Sequence, residues 1–294
     1  MNKILLSWDM ETADPDDIFT LCLLSTHPKV DLVSVTVHPG FVQQIGVVRH
    51  VLSKLNRSDI KIGSAKPNHP KSCVSDFHYK WLGPIQSSDA DGLGEVILNQ
   101  SCQDSNYKIV TGAALTNIGN FINNNPPNFS IEEIVVQGGF AGDSVVPEEH
   151  RLEKFKGKET CPTFNLNGNV DAAKQVISSN LFKIKRFVSK NVCHGIIYDN
   201  EMHERIRPFR HNNVGLNLIV DGMEKYLNKK STGKAFHDPL AACVAISSDC
   251  SNFKEVELYR NKGEWGSRLS NNTNTFVSIS CNRKRFEDVL VGNV

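Results

Sequence analysis

The sequence predicts an α/β fold: one domain over residues 1–294, with a mostly parallel central sheet flanked by helices. Three observations carry this reading. Short apolar, β-branched runs alternate with helical patterns through the first two hundred residues, which implies βαβ units because parallel strands need crossovers. No internal repeat or low-complexity linker interrupts them. A length of 294 residues, 39% hydrophobic and 22% charged, suffices for a single large core.

In chain order, Ile4-Leu5-Leu6 reads as a buried strand, followed by an acidic loop and a helix from about Asp16 to His27. Val30 to Val37, rich in β-branched residues, is the second strand. A helix around Gln44 to Leu55 leads to a short strand at Ile60-Lys61-Ile62-Gly63. Lys108 to Thr111 and Glu133 to Val136 are further strands, with a helix from about Leu115 to Ile122 between them. The stretches Lys66–Asp91 and Gly139–Pro162 read as long loops, which in a compact α/β domain are more often site lids than plain connectors. Ligands of a parallel sheet bind at the carboxyl ends of its strands, so the loops that follow strands hold the candidate residues.

Charge and cysteine usage narrow the function classes. Lys plus Arg number 33 against 32 Asp plus Glu, a net charge of +1, which gives no reason to expect nucleic acid or a membrane surface as partner. The first residues lack the apolar core of a signal peptide, and no stretch approaches the length of a membrane span. The eight cysteines are scattered singly with no C-x-x-C pair, as expected of reduced thiols in a cytoplasmic protein.

The most informative segment follows the first strand: Asp9-Met10-Glu11-Thr12-Ala13-Asp14-Pro15-Asp16-Asp17, five carboxylates in nine residues. Like charges packed together need water or a cation to screen them. A structural reading also exists, in which Asp14, Asp16 and Asp17 cap and charge the next helix. Three later segments bear on the choice: Val110-Thr111-Gly112-Ala113-Ala114-Leu115-Thr116-Asn117; Gln137-Gly138-Gly139 followed by Thr163-Phe164-Asn165 and Asp171-Ala172-Ala173; and His237-Asp238-Pro239-Leu240-Ala241. Asp238-Pro239 also reads locally as a helix cap plus first helical residue.

Taken together and in this order, these segments resemble the nucleoside hydrolase family, of which the chain is a divergent member. The family's first strand ends in Asp-x-Asp-Pro-Gly-x-Asp-Asp, and Thr-Gly-x-Leu-Thr-Asn, Glu-Phe-Asn and His-Asp-Pro follow later. The resemblance spans residues 3 to about 250 and implies a nucleoside hydrolase-like, Rossmann-like core. It also implies a calcium-dependent hydrolase that cleaves the N-glycosidic bond of a ribonucleoside or related riboside, probing a small-molecule substrate, and a homodimer or homotetramer. By the same resemblance Asp9, Asp17, Asp238 and the Thr111 carbonyl hold Ca²⁺, an all-oxygen set suited to that hard cation. Asp9 is the base that takes a proton from the attacking water, and His237 protonates or positions the departing base. Asp16 and Asn165 hold the ribose hydroxyls. Anchoring the alignment on strand length favours Asp9 for the first metal position. Anchoring it on Glu11 puts that residue there instead, with one extra residue before the Asp pair; otherwise Glu11 is a substrate contact. His38, His78 and Trp81, with Phe77 and Tyr79, are candidates to line the base pocket. His194 is expected to be a supporting histidine.

The chain also departs from the pattern. Thr163 replaces the glutamate that helps hold the ribose 5′-hydroxyl, Pro39-Gly40 replaces a Gly-Asn, and Arg151, Lys154, Lys156 and Lys158 crowd the loop before Thr163. These changes suggest a 5′-substituted substrate, such as a nucleotide or NAD. Two other classes remain: a ribose- or nucleotide-binding protein with the same fold and metal site but little turnover, and a metal-dependent phosphohydrolase.

Overall fold

The computed structural model describes residues 3–66, 73–124 and 128–294. Strands β1 (Ile4–Met10), β2 (Val30–Val37) and β3 (Lys61–Ser64) alternate with helices α1 (Pro15–Thr26) and α2 (Val42–Lys54). Helix α3 (Asp76–Leu82), the two-residue strand β4 (Gly92–Leu93) and α4 (Gly94–Ser101) lead into β5 (Lys108–Thr111), α5 (Thr116–Asn124) and β6 (Ile131–Gln137). Next come β7 (Thr160–Cys161), α6 (Phe164–Gly168), α7 (Val170–Ser178), β8 (Phe182–Val188), α8 (Lys190–Cys193), β9 (Ile197–Tyr198), α9 (Asn200–Ile206) and α10 (Val214–Leu227). The chain closes with β10 (Lys234–Ala235), α11 (His237–Ile246), β11 (Ser251–Asn261), β12 (Glu264–Leu269), β13 (Thr275–Cys281) and α12 (Arg283–Leu290).

Eleven strands form one sheet in the order β4-β3-β2-β1-β5-β6-β8-β13-β11-β12-β7. From β4 to β13 every pairing is parallel, so the expected α/β architecture with helices on its faces is present. The antiparallel flank β13-β11-β12-β7 lies beyond the segments read from periodicity. The loop predicted over 66–91 contains α3, started by Ser75, whose side chain accepts from the Phe77 amide. The region predicted as loop over 139–162 holds two short 3₁₀ turns and β7. No helix among the described residues is long and apolar enough to cross a membrane.

The first strand is longer than its apolar run suggests, and this decides the site. It continues through Ser7, Trp8 and Asp9 to Met10, all fully buried. Asp9 sits in register with Thr36 on β2 and Thr111 on β5. Residues in register on neighbouring parallel strands project to the same face, so two hydroxyls flank one carboxylate. Polar residues inside a strand are tolerated only when such partners are supplied.

Candidate active site

At the carboxyl end of the sheet lies a cleft of about 340 Å³, lined among others by Glu11, Asp17, Gly112, Asn165, His237 and Asp238. It forms where two helices begin. Pro15 opens α1 with φ already suited to a first helical residue, and Asp16 and Asp17 follow in its first turn. Helix α11 opens on His237-Asp238-Pro239. Both N-termini contribute the positive end of a helix dipole, which favours carboxylates there. Carboxylate oxygens of Asp16, Asp17 and Asp238 all lie within 4.8 Å of one another, and all three residues are buried.

Asp16 is the clasp between the two helix starts. Its Oδ2 accepts from the backbone amides of His237 at 3.2 Å and Asp238 at 3.4 Å, while its Oδ1 lies 3.1 Å from Lys234 Nζ. Lys234 also reaches Asp14 Oδ1 at 3.0 Å. Burial works against the Lys234 ammonium, but Asp16 and Asp14 outweigh it and raise its pKa. Each Asp16 oxygen already has a protein partner, yet the residue also lines the cleft, where its remaining lone pairs can accept from a ligand. Asp17 and Asp238 are different. Burial, then the charge of Asp16, pushes both carboxyls well above their usual range. Such a site is costly to ionise unless a cation enters, and a buried set of carboxylate oxygens is the donor chemistry of a hard divalent ion.

Asp9 does not reach this cleft, which is a correction to its expected roles as base and metal ligand. It is fully buried, and its oxygens accept from Thr36 Oγ1 at 2.7 Å, Asn117 Nδ2 at 2.8 Å and Thr111 Oγ1 at 2.8 Å. Burial raises its pKa to about 6 against the pull of those three bonds. Glu11, the first residue past β1, lines the cleft instead. Its amide donates to Asp17 Oδ1 at 2.8 Å, and its Oε1 accepts from the Ala114 amide at 3.3 Å. His38 Nδ1 lies 3.4 Å from the same oxygen, so His38 meets the site through Glu11.

Thr111 ends β5, and its side chain is spent on Asp9. The following Gly112 lines the cleft, and a Cβ there would come 2.4 Å from Asp238 Oδ1. Only glycine permits that approach. Asn165 is buried beside the cleft, its Nδ2 donating to the Gln137 carbonyl at 2.9 Å and to Gln137 Oε1 at 2.7 Å. His237 presents an imidazole whose Nε2 is buried without a partner. Its ring stacks on His194, with centroids 4.7 Å apart and planes 28° apart. Burial, then Lys234, lowers the His237 pKa to about 4.

Two expected base-pocket residues lie elsewhere. His78 is fully buried and hydrogen-bonded through Nε2 to the Thr12 carbonyl at 2.9 Å. Trp81 packs in the core against Phe19, 5.0 Å between centroids, and Phe77 at 5.9 Å. Both hold α3 against the body of the protein. Lys234 belongs to none of the sequence patterns, and Gln137 and Phe164 enter them only as flanking positions with no role. Gln137, a polar residue ending an apolar parallel strand, was the readable signal; Phe164, 77% exposed on the cleft wall, was quoted only as part of a pattern.

A family model for inosine-uridine preferring nucleoside hydrolases matches residues 4–288. An uncharacterised protein of Aquifex aeolicus is 27% identical over 99% of this chain and 98% of its own length. Among solved structures, a plant nucleoside hydrolase superposes with a TM-score of 0.69 at 16% identity, covering 98% of each chain. A purine-preferring ribonucleoside hydrolase from Gardnerella vaginalis gives 0.69 at 16% identity, over 98% of this chain and 97% of that one. An inosine-uridine preferring nucleoside hydrolase from Bacillus anthracis gives 0.70 at 15% identity over the whole of both chains.

Proposed function

The chain belongs to the inosine-uridine preferring nucleoside hydrolase family, and from that premise we propose that it hydrolyses ribosides with calcium held by Glu11, Asp17 and Asp238. The observation that carries the proposal is the buried carboxylate cluster of Asp16, Asp17 and Asp238, set in one cleft with Glu11 and Asn165. When bound, calcium supplies a hard Lewis acid that makes a coordinated water more acidic and accepts sugar hydroxyls as ligands.

The protein's own groups do the rest. Glu11 takes the proton of the attacking water in this reading, supported by its position in the cleft lining, where Asp9 is absent. Asp9 sets the end of β1 from beneath, through Thr36, Thr111 and Asn117. Asn165, its amide fixed by Gln137, turns its remaining acceptor to the ribose diol. Asp16 and Lys234 keep α1 and α11 together, so Asp17 and Asp238 face one ion. The transition state of such a cleavage carries oxocarbenium character, and nearby carboxylates stabilise it. His237, uncharged near neutrality because its pKa is about 4, supports the departing base by hydrogen bonding through Nε2. Inosine, uridine and purine ribonucleosides, or 5′-substituted forms of them, are the substrates to try, and a cytoplasmic dimer or tetramer completes the reading.

Chromatography of incubations with inosine, uridine, AMP and NAD, with and without chelator, tests it. Free base or nicotinamide released only with metal, and lost in Glu11→Ala, supports the reading. A protein that binds metal and ribose yet releases nothing would sink it.

A further inference from the structure

The cleft lining carries only acidic charge apart from His237. Just behind that lining, two lysines rest on neutral groups. Lys154 Nζ lies 2.7 Å from His194 Nδ1, the ring stacked on His237, and 5.1 Å from the Phe155 centroid. Lys190 Nζ donates to the Pro162 carbonyl at 2.9 Å and lies 3.7 Å from Cys161 Sγ. Pro162 is two residues before Phe164, which lines the cleft. Between them Thr163 is buried, and its Oγ1 has no partner. Among the described residues neither lysine meets a carboxylate, whereas Lys156 in the same loop is paired with Glu153 at 2.7 Å and Arg151 lies 3.6 Å from Asp143. Thr163 also stands where the family pattern has a glutamate, so the segment that Lys190 contacts at Pro162 lacks that negative charge.

Unneutralised ammonium groups and an orphan hydroxyl are the donors that recognise a phosphate. We propose that Lys154, Lys190 and Thr163 form a phosphate subsite, and that the substrate is therefore a riboside 5′-phosphate. This rests on the hydrolase reading above and narrows its substrate class. Water adds its hydroxyl to C1′, the C1′–N bond breaks, the water's second proton ends on the base, and the phosphate ester stays intact in ribose 5-phosphate.

The test compares kcat/KM for AMP and adenosine in the calcium-loaded protein, with ribose 5-phosphate and ribose binding measured in parallel by calorimetry. Charge-assisted hydrogen bonds predict a preference for AMP of about 10-fold or more. That preference should fall towards unity in Lys154→Met/Lys190→Met, survive Lys154→Arg in part, and be untouched by Lys156→Ala. Equal or better cleavage of adenosine, or a preference that survives the double substitution, overturns the subsite. If neither compound is cleaved, the hydrolase reading fails separately. The subsite then stands only if ribose 5-phosphate binds more tightly than ribose and the double variant abolishes the difference; equal binding overturns it too.

Discussion

Exchanging Asp9 and Glu11 by their amides tests the proposal that the first carboxylate builds the site and the second works in it. Asp9→Asn keeps Oδ1 for Thr36 and Asn117 and turns an amide toward Thr111, whose hydroxyl can reverse and accept. Because Asp9 is buried with a pKa of about 6, the substitution also removes a desolvated charge near neutrality. We expect a stability change of about 1 kcal/mol. Catalysis should stay within about tenfold, the effect of a shift of about 1.4 kcal/mol. Asp9→Ala is harsher: it strands three buried donors, each costing about 1–3 kcal/mol, and so costs about 3 kcal/mol or more. Glu11→Gln should leave the melting temperature nearly unchanged. It should nevertheless slow hydrolysis by about 10²–10⁴, the usual worth of a positioned base, and weaken calcium. The assays are thermal denaturation, calcium calorimetry and steady-state base release on the same three variants. Loss of calcium binding and turnover in Asp9→Asn as complete as in Glu11→Gln, at an unaltered melting temperature, would refute the assignment.

Other expectations follow from the same geometry. Calcium at about 100 times its Kd should stabilise the protein by about 2.7 kcal/mol, and Asp17→Asn or Asp238→Asn should erase most of that thermal shift. Gly112→Ala drives a methyl to within 2.4 Å of Asp238 Oδ1; calcium affinity should fall more than stability does, as read by calorimetry against denaturant titration. Lys234→Met leaves Asp16 buried without its cation and should cost about 3 kcal/mol in urea unfolding. His27 is buried on the Val289 carbonyl, and burial lowers its pKa from 6.5 to about 4. A lowered folded-state pKa gives stability that is complete above about 6.5 and is lost as pH falls towards 4. The loss amounts to about 3 kcal/mol, at 1.36 kcal/mol per pKa unit. In His27→Gln the slope of stability against pH between those values should flatten; an unchanged slope would contradict the burial argument.

The parallel sheet was legible because β2 is rich in β-branched residues and β5 and β6 carry the short apolar runs Ile109-Val110 and Ile134-Val135-Val136, and Asp16-Asp17, Asn165 and His237-Asp238 were legible because they sit in local patterns that survive in one dimension. Asp9 was misplaced because only Ile4-Leu5-Leu6 looked like a strand. The strand continues through Ser7 and Asp9, which are affordable only because Tyr107, Ser34, Thr36, Thr111 and Asn117 supply partners from distant positions. No local window contains that information. His78 and Trp81 looked like pocket residues because they lie in a stretch read as a loop, and the helix that turns them into the core is only seven residues long. The Lys234 clasp was invisible for the same reason as the partners of Asp9: it joins residues that only folding brings together.

The span of that clasp affects how the protein is made. His237 and Asp16, joined through the start of α11, are 221 residues apart in the sequence. During synthesis the acidic loop emerges early, carrying carboxylates that repel one another, while the lysine and helix start that restrain them are made near the end. A nascent or truncated chain ending before α11 therefore has no closed cation site, however well its first strands have paired. On the proposed reading, ion binding would report on completion: a chain that holds a cation at this cluster would have been translated past Asp238 and would have brought its two distant halves together.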